Sequence, residues 1–211
     1  MSGKINLYII GGNMTELILT LVIAYIIGSI PTGYLIVKAK TGQDIRTVGS
    51  GSTGATNVKR VLGKKWFFIV MLLDALKGAM PVVLAKLFVT AGASYGLAPV
   101  IAAVAVIIGH SKSCFLGFKG GKSVASGVGT ILALNWMVGL IIAAVWGIIT
   151  YATKYVSVGS MIALVISPFL MYFFHSPIAY IGYCTLGAIY IVYLHRENIK
   201  RLINGNENKV R

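Results

Sequence analysis

Three polar segments interrupt an otherwise apolar chain, and each carries groups suited to holding anions. The first runs from Thr41 to Arg60 and contains Gly49-Ser50-Gly51-Ser52-Thr53-Gly54-Ala55-Thr56-Asn57. Gly49, Gly51 and Gly54 would let backbone N–H groups approach an anion closely, and Ser50, Thr56 and Asn57 add side-chain donors. Arg60 offers a bidentate fork. A helix starting near Ala55 would aim its N-terminus at the same place. The competing reading is a flexible basic loop that holds lipid headgroups. The glycine spacing also matches a dinucleotide fingerprint, with Asp74 lying 20 residues beyond Gly54. No strand pattern precedes the glycines and Asp74 falls in an apolar helix, so that reading is rejected.

The second segment, Gly109 to Ser123, ends in Gly120-Gly121-Lys122-Ser123. A phosphate-binding NTPase loop would need glycine at position 116, which is Leu116. Parallel-sheet patterning and an acidic magnesium partner are missing too, which argues against an NTPase. A Gly-Gly-Lys turn opening a span remains a good anion cradle. His110 has the plainer reading of a hydrogen-bonded loop histidine. The third segment is His195-Arg196-Glu197-Asn198-Ile199-Lys200-Arg201. On a helix, His195 and Asn198 share a face that Arg201 continues, while Glu197 points elsewhere and can pair with Lys200 or Arg201. A positive stop at a helix end explains the Lys and Arg, but not His and Asn in register.

Asp74 and Lys77 are i,i+3 neighbours inside a span, where ionisable groups are costly unless paired. A structural ion pair is the favoured reading. Ser157 and Ser160 open a later span and either cap it or touch substrate. Cys114 falls in a loop and Cys184 in a span, so neither a disulfide nor a metal site is expected.

These segments need apolar elements to position them, and composition supplies them. Of 211 residues, 57% are hydrophobic and 11% charged, against roughly 25% charged in soluble domains. Mean hydropathy is +0.84. The predicted fold is all-α and polytopic, with residues 1–13 as an extension and 14–211 as a single integral membrane domain. Spans are expected at Met14–Val37, Trp66–Thr90, Tyr95–Ile108, Val124–Leu134, Trp136–Ala152, Val158–Phe174 and Ile178–Leu194. No cleavable signal peptide is apparent. The net charge of +14 would suggest nucleic acid in a soluble protein, but here it lies between spans. Membrane lipid and orientation explain it, so no nucleic-acid partner is expected. The 38–65, 109–122 and 195–211 segments and Lys154 hold sixteen of the nineteen Lys and Arg. Seven spans, N-terminus outside and C-terminus cytoplasmic, put all of these inside.

In order and spacing, the chain resembles the bacterial acyl-phosphate-dependent glycerol-3-phosphate acyltransferases, the PlsY family. The resemblance runs from Met14 through Gly28-Ser29-Ile30-Pro31, the Gly49–Asn57 run, Asp74/Lys77-Gly78, Gly109-His110, Phe118–Lys122 and Tyr155-Val156-Ser157 to His195/Asn198/Arg201. It departs at Ser52-Thr53, at Ser111-Lys112-Ser113 and at Ser123, where glycine is usual. It implies acyl transfer from acyl phosphate to the 1-hydroxyl of glycerol 3-phosphate, giving lysophosphatidic acid and phosphate. The active site would face the cytoplasm of the bacterial inner membrane. No cofactor, metal or obligate protein partner is implied. Carried over by position, Ser50, Arg60, Lys122, His195 and Asn198 are the catalytic candidates. Gly49, Gly51, Gly54, Thr56, Asn57, Gly120, Gly121, Ser160 and Arg201 would bind phosphate, with Asp74, Lys77 and Glu197 structural. A transporter, the main alternative, would spread polar residues along a path through the bilayer. Here they gather at one face.

Overall fold

Inside a bilayer no water satisfies the backbone, and a helix does so within one segment. The computed structural model describes residues 14–89 and 96–210 and is helical accordingly, with no strand among those residues. The expected 1–13 extension, the span ends at Thr90 and Tyr95, and Arg211 lie outside the described residues. The helices are α1 Met14–Ser29, α2 Thr32–Thr41, α3 Ala55–Leu62, α4 Lys64–Phe88 and α5 Leu97–Ser111. They continue with α6 Val124–Leu134, α7 Trp136–Thr153, α8 Val156–Phe173, α9 Ile178–Leu194 and α10 Arg196–Ile203.

Five stretches are long and apolar enough to cross a membrane: Met14–Thr41 (α1 with α2), α4, Leu97–Leu116, α7 and α8. The α9–α10 pair makes a sixth if counted as one span, bent by 57°. The expectation of seven also counts α6. Its 11 residues rise only about 16 Å, against a hydrocarbon core of about 30 Å. Two caps explain why α6 is short. Lys86 Nζ donates to the carbonyls of Ala133 and Leu134 at 2.8 and 3.2 Å, closing its C-terminus. Asn135 then starts α7, its Oδ1 accepting from the N–H groups of Met137 and Val138. The Asn135 amide also donates to Ser176 Oγ at 3.0 Å, tying this turn to the α8–α9 turn.

Small residues bring the helices together, as packing within lipid requires. A Cβ on Gly129 would stand 2.0 Å from the Ala75 carbonyl, and one on Gly78 2.3 Å from that of Ser126, so α4 and α6 cross almost in backbone contact. Gly28 and Gly109 do the same for α1 and α5. The outward faces stay apolar, with Leu72, Leu87, Phe88, Phe169 and Ile189 exposed, as a lipid-facing surface would be. At the end of the bundle away from Asn135, the segments after α2, α5 and α9 converge. Val210 N–H donates to the Lys154 carbonyl at 2.8 Å, joining the C-terminal tail to the α7–α8 link.

Candidate active site

The first segment is a loop wound on Asn57. This buried side chain donates to the carbonyls of Ile45, Val48 and Ser52 at 3.2, 2.9 and 3.0 Å, and accepts from Ser50 N–H at 2.9 Å. Asn57 was expected to meet phosphate, but the loop itself occupies its amide. Gly49 has φ +60, and a Cβ there would strike Asn57 Oδ1. Gly51 N–H is used by the Val48 carbonyl and Gly54 N–H by Ser52 Oγ. The Gly51 and Gly54 N–H groups are thus engaged within the loop itself. The loop presents Ser50, Ser52, Gly54, Thr56 and Arg60 to one cavity, with α3 starting at Ala55.

The second segment follows the same logic. Gly121 N–H donates to the His110 carbonyl at 3.1 Å. Cβ atoms on Gly120 and Gly121 would strike the His110 carbonyl and Nε2 respectively. These glycines let the loop fold against His110, and the cavity is lined instead by Lys122 and Ser123. Ser123 has φ +59, the region glycine occupies most easily, and its Oγ donates to the Ile107 carbonyl at 3.0 Å. That hydrogen bond helps to hold a serine in a left-handed conformation. Ser113 Oγ donates to the Ser29 carbonyl at 2.6 Å, and Ser111 Oγ pairs with Tyr190 OH at 2.8 Å. The divergent 111–113 stretch thus ties helices together, and Lys112 is exposed. His110 is buried in the last turn of α5 rather than in a loop, with Nδ1 3.0 Å from Ser126 Oγ. Behind it, Lys77 and Asp74 pair at 2.8 Å, both buried, and Lys77 also donates to the Ile30 carbonyl at 2.7 Å.

In the third segment the helix breaks at His195, and α10 leaves α9 at 57°. His195, Asn198 and Arg201 nevertheless line the cavity together. His195 Nδ1 lies 2.8 Å from the Ile191 carbonyl, which can only accept. The proton therefore sits on Nδ1, leaving Nε2 as the lone-pair nitrogen. Glu197 faces Lys200 at 3.3 Å on the exposed side of α10. Arg201 is engaged by Glu207, which the sequence reading did not single out. The Glu207 carboxylate accepts from Ser157 Oγ at 2.9 Å, Asn198 Nδ2 at 2.6 Å and Arg201 Nε at 2.7 Å. Burial alone would raise its pKa, but the hydrogen bonds from Asn198, Arg201 and Ser157 outweigh this and lower it. A sequence signal existed. Glu207 follows the Asn204-Gly205 helix stop and is one of only five acidic residues, so its partner was worth seeking.

Lys122 joins the segments, its Nζ donating to Asn198 Oδ1. Burial, then the nearby Arg201 charge, lowers its ammonium from 10.5 to about 8, with Glu207 acting in the opposite direction. Ser160 is buried on the α8 wall and donates to the Val156 carbonyl at 2.7 Å, leaving its oxygen lone pairs for the cavity. The cavity holds about 370 Å³. One part of its wall is cationic and hydroxylic; the other is apolar, with Phe67, Met71, Leu72, Val128 and Ala143. Such a site can hold a phosphate ester beside an acyl chain.

Comparison with known proteins agrees. Residues 18–205 match the family model described as glycerol-3-phosphate acyltransferase. A glycerol-3-phosphate acyltransferase of Nostoc sp. (strain PCC 7120 / SAG 25.82 / UTEX 2576) is 42% identical, with 89% of each chain covered. One from Synechococcus sp. (strain JA-3-3Ab) is 44% identical over 88% of this chain and 89% of its own. Among solved structures, PlsY (YgiH), an integral membrane glycerol 3-phosphate acyltransferase, superposes in its glycerol 3-phosphate form. The TM-score is 0.87 at 37% identity, covering 92% of this chain and 96% of that one. Its lysophosphatidic acid form gives 0.83 at 34% identity, covering 92% and 95%. The chain belongs to the glycerol-3-phosphate acyltransferase family and is an integral membrane enzyme of the PlsY type.

Proposed function

We propose that this enzyme transfers a fatty acyl group from acyl phosphate to the 1-hydroxyl of glycerol 3-phosphate, giving lysophosphatidic acid and inorganic phosphate. One observation carries the reading. Ser50, Thr56, Arg60, Lys122, Ser160, His195, Asn198 and Arg201, drawn from distant parts of the chain, line a single cavity that also carries the apolar side chains of Phe67, Met71, Leu72, Val128 and Ala143. The cations suit the two phosphate groups, and the apolar wall suits the acyl chain.

Acyl phosphate is an activated mixed anhydride, so the reaction requires no covalent enzyme intermediate. The glycerol 3-phosphate hydroxyl oxygen bonds to the acyl carbon, the bond from that carbon to the phosphate oxygen breaks, and phosphate leaves with the electron pair. A phosphate oxygen takes the hydroxyl proton. Ser50, Arg60, Lys122 and Asn198 position the groups and neutralise charge. His195, through Nε2, is the protein base this mechanism competes with. The pH profile of His195→Gln separates the two. A few-fold loss with an unchanged profile supports the phosphate oxygen, and loss of the acidic limb, where protonation disables a base, identifies His195.

The membrane arrangement we propose counts α6 as a short seventh span. The N-terminus lies outside, and the site opens to the cytoplasm at the bacterial inner membrane. The 38–65, 109–122 and 195–211 segments all contribute to one cavity, which supports placing them on one side. To test the donor, purified enzyme is given glycerol 3-phosphate with palmitoyl phosphate, palmitoyl-CoA or palmitoyl-carrier protein in parallel. Product only with palmitoyl phosphate supports the reading, and product only with a thioester overturns it.

A further inference from the structure

Buried donors in native proteins nearly always have a partner, so an orphaned donor in a cavity wall points to a ligand. Among the described residues, four buried side-chain atoms lack a hydrogen-bond partner: Ser29 Oγ, Asp74 Oδ1, Trp146 Nε1 and Thr150 Oγ1. Ser29 and Thr150 are not part of the cavity wall, and Asp74 has its Lys77 ion pair. Trp146 does line the cavity. Its indole N–H can only donate, and no acceptor stands within hydrogen-bond distance of it.

Packing fixes where along the cavity Trp146 stands. A Cβ on Gly159 would lie 2.9 Å from the Trp146 carbonyl and 2.3 Å from Thr150 Oγ1, so α7 meets α8 closely here. Trp146 is thereby level with Gly159, the neighbour of Ser160. It lies seven residues before the α7 terminus at Thr153, about 10 Å along the axis from the end that joins the C-terminal tail. On α7 the apolar Ala143, one turn before Trp146, lines the cavity, and on the facing α8 the hydroxyls of Ser157 and Ser160 line it, so Trp146 stands between polar and apolar lining residues. In a bound acyl phosphate, the group between the phosphate and the first methylene is the acyl carbonyl.

We propose that the Trp146 indole N–H donates a hydrogen bond to the acyl carbonyl oxygen of the lipid-soluble substrate, with the ring covering the first methylenes. The inference rests on the acyl-donor reading above. As the hydroxyl attacks, that oxygen gains negative charge, and a hydrogen bond already aimed at it strengthens.

The test uses two unreactive probes: palmitoyl phosphonate, which keeps the carbonyl, and hexadecyl phosphate, which lacks it. Their binding to wild type and to Trp146→Phe in detergent is measured by calorimetry. Trp146→Phe should weaken palmitoyl phosphonate about tenfold, the worth of one hydrogen bond, and change hexadecyl phosphate less than about twofold. Equal weakening of both, or of neither, overturns the proposal. Should Trp146→Phe not fold, the Trp66→Phe/Trp136→Phe double variant leaves Trp146 as the sole tryptophan. Its emission should shift with palmitoyl phosphonate and not with hexadecyl phosphate; identical responses overturn the proposal. Wild-type turnover of palmitoyl phosphate is scored separately. Its absence sinks the donor reading, whereas turnover without probe discrimination sinks only the role of Trp146.

Discussion

At Lys122, burial and neighbouring positive charge hold the ammonium at about 8, so the charge is present below that pH and lost above it. In the free enzyme, the affinity for the phosphate-bearing substrates should fall as pH rises from 7 to 9. The KM of wild type should climb over that range, and Lys122→Arg should flatten the climb because guanidinium stays charged. Lys122→Ala should lower kcat/KM by about 100-fold or more at pH 7, since a half-buried cation facing developing charge is lost. Steady-state kinetics at four pH values checks both. Residue types were legible here, but their partners were not. The sequence marked Asn57 as a phosphate donor because amides bind anions. Only the fold shows that three loop carbonyls and one N–H already occupy it. Likewise Gly120 and Gly121 look like donors in sequence and act as space for His110 in three dimensions.

The element that presents His195, Asn198 and Arg201 is α10, a two-turn helix at 57° to α9. Two turns do not hold themselves in water, so the tie through Glu207 matters. Glu207→Gln keeps the shape and removes the charge that gathers Ser157, Asn198 and Arg201. We expect about tenfold lower activity and a loss of about 1–2 kcal/mol, read as a fall of a few degrees in Tm. The sign with pH follows from the lowered pKa. The carboxylate's contribution is fully present above its ordinary 4.5 and disappears as pH falls through the lower folded value. The Tm gap between wild type and Glu207→Gln should therefore close in acid, which thermal unfolding followed by intrinsic fluorescence can check. The start of α3 at Ala55 and the α6–α7 break at Asn135 were legible, because a Gly-rich entrance and an Asn cap are local signals. The end of α9 at Leu194 was legible too, but the 57° turn into α10 was not, since no Gly or Pro marks it.

Across the whole molecule, charge carried the expected topology. Apolar runs and basic loops alone gathered the polar segments on one side, and the fold brings them to one cavity. Their detailed registry was not legible, because it depends on close helix crossings such as Gly129 on Ala75 and Gly159 on Thr150. The proposed orientation can be checked with single cysteines in a Cys114→Ser/Cys184→Ser background in intact cells. Lys154→Cys should resist a membrane-impermeant maleimide and Ser176→Cys should react; the reverse pattern would invert the topology. The central claim is the chemistry of the joint cavity. Purified enzyme is mixed with palmitoyl phosphate and glycerol 3-phosphate, and phosphate and lysophosphatidic acid are quantified together. We expect both in equal amounts, above the background of acyl phosphate hydrolysis and only when glycerol 3-phosphate is present. Folded protein that releases no phosphate beyond that background, or releases it without forming lysophosphatidic acid, would contradict the account.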